Sequence, residues 1–261
     1  MDSKLAEFAL RLADEARRET LVRWASGCAV EDKSGGGAYD PVTDADREAE
    51  RAMRALIEAE YPKHGIAGEE FGLKAGASRY RWSLDPVDGT RSFTCGLPTW
   101  VTLIALLEDE VPVVGVIDAP CLDERYVGCG GSARLQARGE VGPLQASQCR
   151  ILVDARLSTT DPYLFSGAAA EAFEQVRTSA RTVRYGHDGY AYARLAAGTI
   201  DLVIECGLKE HDYQALIPVV RGAGGIFGDW RGGADFSSGK VIAAATQELY
   251  EAAAAIMKSA A

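Results

Sequence analysis

Asp85-Pro86-Val87-Asp88-Gly89-Thr90 carries two carboxylates three residues apart around a proline, followed by a glycine and a hydroxyl. A strand ending at Asp85, a turn stiffened by Pro86 and a second acid at Asp88 would let both side chains face one point, with the Val87 carbonyl beside them as a neutral oxygen ligand. Gly89 and Thr90 can open a helix whose first amides meet a phosphate. The same hexapeptide also suits an ordinary polar turn, because Asp, Pro and Gly are common turn residues. Further out, Glu69 in Gly68-Glu69-Glu70 and the distant Asp212 add two more acids. Four such groups gathered without a cation would repel one another, and carboxylate oxygens are hard ligands that suit Mg²⁺. The set therefore reads as a magnesium site for cutting a phosphate ester.

The flanking sequence places these acids on elements. Gly65-Ile66-Ala67-Gly68 reads as a short strand ending in a turn. Thr43 reads as the N-cap of a helix running to about Glu60, with Ala49, Met53, Leu56 and Ile57 as its apolar stripe and Pro62 closing it. Thr43-Asp44-Ala45-Asp46 fits a capping box with Asp46 at the third helical position. Asp212, after His211, falls near a helix start, where capping is the ordinary role of an acid. Strand-like runs at Tyr80–Leu84, Thr99–Leu107, Val111–Ile117 and Arg125–Cys129 follow closely and predict a largely antiparallel sheet. From about Arg150 the pattern alternates, with strands expected at Ile151–Val153, Thr182–Tyr185, Ile200–Glu205 and Val241–Ala244 between helices. A composition shift across Gly139–Ser147 divides an N-terminal α+β unit, 1–145, from a C-terminal α/β unit, 146–261. Gly222, Gly224 and Gly225 end the helix that begins near Asp212.

Composition narrows the function classes. A net charge of -10 argues against DNA or RNA as partner, since phosphate neutralisation needs clustered Lys and Arg. The Met1–Arg18 stretch, with Leu5, Phe8 and Leu12 at helical spacing, is an amphipathic surface helix rather than a membrane span. The six cysteines are scattered without a Cys-x-x-Cys pair, so reduced thiols and a cytoplasmic setting are expected. Neither His64, His187 nor His211 has ligand spacing to another His or Cys, which argues against zinc. Gly-x-Ser-x-Gly and Walker-type loops are absent. Lys33-Ser34-Gly35-Gly36-Gly37 reads as a mobile loop.

Taken in order, Asp40-Pro-Val-Thr-Asp-Ala-Asp46, Gly68-Glu-Glu70, Asp85-Pro-Val-Asp-Gly-Thr90 and His211-Asp212 through Gly224-Gly225 resemble the inositol monophosphatase family of Mg²⁺-dependent phosphatases, and they span most of the chain. The resemblance implies an α+β fold, a layered αβαβα sandwich with its active site between two sheets. It implies Glu69, Asp85, the Val87 carbonyl, Asp88 and Asp212 as ligands to two or three Mg²⁺ ions. It also implies Thr90 with Asp46 as the pair orienting the attacking water, the Gly89 and Thr90 amides as phosphate holders, Lys33 as a residue of the active-site loop, and a homodimer. Within the family, Arg184-Tyr-Gly-His-Asp-Gly-Tyr-Ala-Tyr192, Glu205-Cys-Gly-Leu-Lys209 and Arg91-Ser-Phe-Thr-Cys-Gly-Leu-Pro-Thr-Trp100 are most similar to the histidinol-phosphate phosphatase branch. That branch implies Arg184, Asp188, Glu205 and Asp212 as substrate contacts. His211 stands where relatives carry an aromatic residue, and Arg221 where they carry an acid.

Two rival readings are distinguishable. Asp85 could be a phosphorylated nucleophile, as in haloacid dehalogenase-like enzymes, although their acids form Asp-x-Asp and these stand one residue further apart. A non-catalytic metabolite-binding protein would keep the fold without turnover, and the full set of acids argues against it.

Overall fold

The structure, a computed structural model, describes residues 3–27, 30–32 and 41–261. Lys33, the glycine run and Asp40 lie outside the described residues. In chain order the elements are α1 (Ser3–Ser26), β1 (Val30–Asp32), β2 (Pro41–Thr43), α2 (Asp44–Glu60), β3 (Gly65–Gly68), β4 (Gly72–Lys74), β5 (Tyr80–Asp88), α3 (Thr90–Thr94), β6 (Val101–Glu108), β7 (Val111–Ala119), β8 (Glu124–Cys129), β9 (Ser132–Ala137) and β10 (Glu140–Pro143). The second half continues with β11 (Arg156–Thr159), α4 (Ala168–Ser179), β12 (Thr182–Tyr185), α5 (Asp188–Ala196), β13 (Leu202–Glu205), α6 (Glu210–Tyr213), α7 (Leu216–Gly222), β14 (Ile226–Asp229), β15 (Val241–Ala244) and α8 (Gln247–Met257).

These elements form five layers. The apolar faces of α1 and α2 (Phe8, Leu12, Met53, Ile57) are buried against Trp82, Leu84 and Ile104 of an eight-stranded sheet ordered β10-β9-β8-β7-β6-β5-β3-β4. Each large apolar side chain buried there contributes ~1.5–3 kcal/mol relative to exposure. On the other face, α5 and α7 share one core with Leu103, Ile117 and Tyr126 of that sheet and with Val203 and Val241 of a five-stranded sheet ordered β12-β11-β13-β15-β14. The outer face of the smaller sheet is covered by α4 and α8. This is the αβαβα sandwich. In the large sheet the strands pair antiparallel except for β3 with β5, as the short connections require.

Helix α2 has the expected bounds because its capping box forms: Thr43 Oγ1 accepts the Ala45 amide and the Asp46 carboxylate accepts the Thr43 amide at 2.9 Å. Three expectations shift. Helix α1 runs past Arg18 to Ser26, because Leu21 and Trp24 pack on a small cluster of Ala45, Val87, Phe93 and Trp100. Ile151–Val153 is not a strand; Leu152–Asp154 is a 3₁₀ turn, and the strand is β11. Ile151 and Val153 are exposed, whereas Leu157 of β11 is buried. The helix expected from Asp212 to Gly222 is two helices, α6 and α7, and Pro218 sits in the first turn of α7, where a missing amide hydrogen leaves no helical bond unmade.

Candidate active site

Pairing between β5 and β6 is interrupted between Asp85 and Asp88, and Pro86 falls in that irregularity, where its lack of an amide hydrogen breaks no ladder bond. The Pro86 carbonyl accepts the Thr102 hydroxyl at 2.7 Å, which fixes the turn from β6. Asp85 is 2% exposed, and among the described residues its Oδ1 has no hydrogen-bond partner. Gly89, at φ +83°, supplies the left-handed residue that starts α3. The Thr90 hydroxyl donates to the Val87 carbonyl at 3.0 Å.

The fold brings the distant acids together in two adjoining groups. Oxygens of Asp85, Asp88 and Asp212 lie within 4.8 Å of one another, and so do those of Asp46, Glu69 and Glu70. Burial pushes the Asp85 carboxyl well above its ordinary range, and the charges of Glu69, Asp88, Asp212 and Asp46 push it further. Asp88 is raised in the same way, first by burial and then by Asp188 and Asp212, although its Oδ2 accepts the Gly189 amide at 2.5 Å. Asp212 stands at the third position of α6, where it accepts the Lys209 amide at 2.7 Å. Capping and membership of the acidic cluster thus coexist at Asp212, as they do at Asp46. Burial lifts Asp46 to about 7, against the pull of two bonds from Thr43. The hydroxyl on Asp46 is that of Thr43, at 2.6 Å; that of Thr90 turns instead to Val87.

Beside the cluster lies a cavity of about 270 Å³ whose wall includes Glu69, Asp88, Asp188, Tyr192, Glu205 and Asp212. Glu205, at the end of β13, is fully buried and accepts the Thr160 amide (2.6 Å), the Thr160 hydroxyl (3.0 Å) and the Thr159 hydroxyl (3.2 Å). Burial nevertheless pushes its carboxyl up to about 8. Asp188 opens α5 at φ +43°, and burial lifts it to about 6 while Thr160 and Arg91 draw it down. Arg184, on the edge strand β12, is exposed and is not among the residues lining this cavity. His211 lies 3.4 Å from Asp212, and Arg221 donates to the Phe227 carbonyl, so neither departure displaces an acid from the cluster. Sequence reading does not single out Gly189 or Thr160. The Asp-Gly step at 188–189 is the available signal for the first: a Cβ at Gly189 would stand 2.6 Å from Asp88 Oδ2.

The donor set suits a divalent cation. A buried carboxylate oxygen without a hydrogen bond, among like charges that raise its proton affinity, is costly unless a cation completes it. All the side-chain donors are carboxylates, the chemistry of Mg²⁺ or Ca²⁺ rather than of a soft metal.

A five-layer sandwich with such a cluster at the ends of its strands has the build of a metal-dependent phosphatase. The chain belongs to the inositol monophosphatase family, whose model matches residues 1–261. It is 48% identical over 194 residues to the bifunctional phosphatase IMPL2, chloroplastic, of Arabidopsis thaliana, an alignment covering 74% of this chain and 55% of the plant protein, so it spans about half the length of that relative. It is 37% identical over 225 residues to the histidinol-phosphatase of Mycobacterium tuberculosis, 84% of each chain. An inositol monophosphatase from Zymomonas mobilis, a solved structure, superposes with a TM-score of 0.84 at 38% identity over 98% of each chain.

Proposed function

We propose that this chain hydrolyses a small phosphate monoester with Mg²⁺, and that histidinol phosphate is its substrate. The observation carrying the substrate is the second acidic wall: beyond the cluster, the same cavity is lined by Asp188 and Glu205. Histidinol phosphate carries an amino group and a titratable imidazole, which such a wall can pair with, whereas inositol offers only hydroxyls. The likeness to the mycobacterial histidinol-phosphatase supports the same reading.

In this reading Glu69, Asp85, the Val87 carbonyl, Asp88 and Asp212 hold two or three Mg²⁺ ions. Bound there, Mg²⁺ would lower the pKa of the attacking water and offset charge on the leaving alkoxide. Asp46, held by Thr43, and Thr90 at the opening of α3 orient that water for in-line attack. The amides of Gly89 and Thr90 hold the phosphate oxygens. The Gly189 amide keeps Asp88 turned toward Asp212. Asp188 takes the substrate ammonium. Arg184 enters only as an outlying contact, since it is exposed and off the cavity wall.

One observation favours inositol 1-phosphate instead. Glu205, whose oxygens already accept from Thr159 and Thr160 and whose carboxyl burial pushes up to about 8, suits a hydroxyl better than a cation. Phosphate release should be measured on histidinol phosphate, inositol 1-phosphate, sugar phosphates and nucleotide 3′-phosphates, with Mg²⁺ and with chelator. The expected result is a kcat/KM at least about tenfold higher on histidinol phosphate, lost with chelator. Equal or faster turnover of inositol 1-phosphate would establish the second reading, and no turnover of any ester would end both.

A further inference from the structure

Glu50 is a fully buried acid that lies outside both acidic groups. It stands one helical turn after Asp46 on α2, so both side chains leave the same face of that helix. Its carboxylate accepts the Glu70 amide at 2.7 Å, the Phe71 amide at 3.3 Å and Arg54 Nε at 2.6 Å. Arg54 reaches on to the Gly72 carbonyl, and the guanidinium carbons of Arg51 and Arg54 lie 4.9 and 6.0 Å from the Phe71 ring centroid. Residue 68 is glycine because a Cβ there would collide with the Glu50 carboxylate. The whole turn from Gly68 to Gly72 is therefore clamped onto α2, and that turn carries Glu69 and Glu70.

Holding a surface turn does not by itself call for a buried acid beside a largely buried arginine, since burying a charge costs several kcal/mol before any attraction is counted. Asp46, Glu69 and Glu70 crowd their oxygens within 4.8 Å, where like charges repel, so a turn that carries two of them is better held by a tie to the helix. With three donors on its oxygens and no exposure, Glu50 is itself poorly suited to bind a cation. We propose that Glu50, backed by Arg54, is a positioning residue that holds the Gly68–Gly72 turn so that Glu69 is in place before a cation arrives. The inference rests on the metal-dependent reading of the site.

Glu50→Gln keeps the shape but turns an amide donor toward the two backbone amides, so one of them loses its acceptor. Mg²⁺ binding should be measured by calorimetry on the full chain without substrate, beside the Mg²⁺ dependence of phosphate release. Mg²⁺ affinity should fall at least about tenfold, half-activation should move in parallel, and the rate at saturating Mg²⁺ should stay within about threefold of the parent. Arg54→Gln, which leaves the carboxylate but removes its anchor, should weaken Mg²⁺ binding about threefold and covers the case in which Glu50→Gln does not fold. Unchanged Mg²⁺ affinity in a folded Glu50→Gln protein, or in Arg54→Gln if the first is unfolded, would overturn the inference and leave the clamp as scaffold only. A parent protein that neither binds Mg²⁺ nor releases phosphate would instead remove the metal-dependent reading, and this inference with it.

Discussion

Replacing Asp85 with Asn should make the metal-free protein more stable while abolishing its response to Mg²⁺. Asp85 shares a space of 4.8 Å with Asp88 and Asp212, and at an effective dielectric near 20 each ionised pair at that distance costs ~3 kcal/mol. Proton uptake limits the penalty: holding a proton at about pH 7 on a group whose ordinary value is 3.8 costs ~4 kcal/mol, so the cost of Asp85 cannot exceed that. Asn removes the charge and gives up no hydrogen bond at Oδ1 among the described residues. A net gain of at most ~4 kcal/mol follows for the metal-free form, or no more than ~8–16 °C in Tm for a chain of this length. Mg²⁺ at 100 times its Kd should stabilise the parent by ~3 kcal/mol through binding linkage, and that increment should vanish in Asp85→Asn together with at least ~10³ of the turnover. The assay is thermal unfolding with chelator and with Mg²⁺, paired with phosphate release. If the metal-free variant melts below the metal-free parent, or keeps the Mg²⁺-induced rise in Tm, the charge-repulsion account of this cluster is wrong.

The pH dependence of the metal-free protein should run the same way. Glu205, Asp46 and Asp188 are raised to about 8, 7 and 6, so folding binds their protons more tightly than the unfolded chain does. The stability they contribute is full below their ordinary values and is lost as pH rises through 6 to 8; Tm with chelator should therefore be higher near pH 5.5 than near pH 8.5. Saturating Mg²⁺ should reverse that slope, because the cation needs deprotonated ligands, and a slope of the same sign with and without metal would contradict the assignment. Gly189→Ala places a Cβ 2.6 Å from Asp88 Oδ2 and 3.1 Å from Val101, so Asp88 must move. Turnover should fall ~100-fold with a stability loss of ~1–3 kcal/mol and an unchanged circular dichroism spectrum. Turnover within about twofold of the parent would show that the Gly189 amide does not set Asp88.

Features made by neighbours in sequence were legible in the chain. The capping box of α2, the turn at Asp85–Thr90 and the alternating strands depend on residues within a few positions of one another, and Thr43, Asp46, Gly89 and the β5–β8 meander fall where the pattern places them. The order of the motifs was enough to name the family and with it the five layers. Where local signals misled, burial decided. Ile151 and Val153 have strand-forming side chains but are exposed, and the pairing begins at Arg156.

The site's working contacts belong to another range of separations. Glu69, Asp85 and Asp212 converge because β3 pairs with β5 and α6 packs beside them, and no local rule specifies a distance between side chains 127 residues apart, as Asp85 and Asp212 are. The Gly189 amide on Asp88, the Thr159 and Thr160 donors on Glu205, the Glu50 clamp and the turning of the Thr90 hydroxyl toward Val87 are likewise products of packing. Residue types and their order determined which chemistry this chain carries. Which acids are crowded together, which are pushed toward their protonated form and which amide fixes which carboxylate were decided by the tertiary structure, because charge repulsion and desolvation act through space and not along the chain.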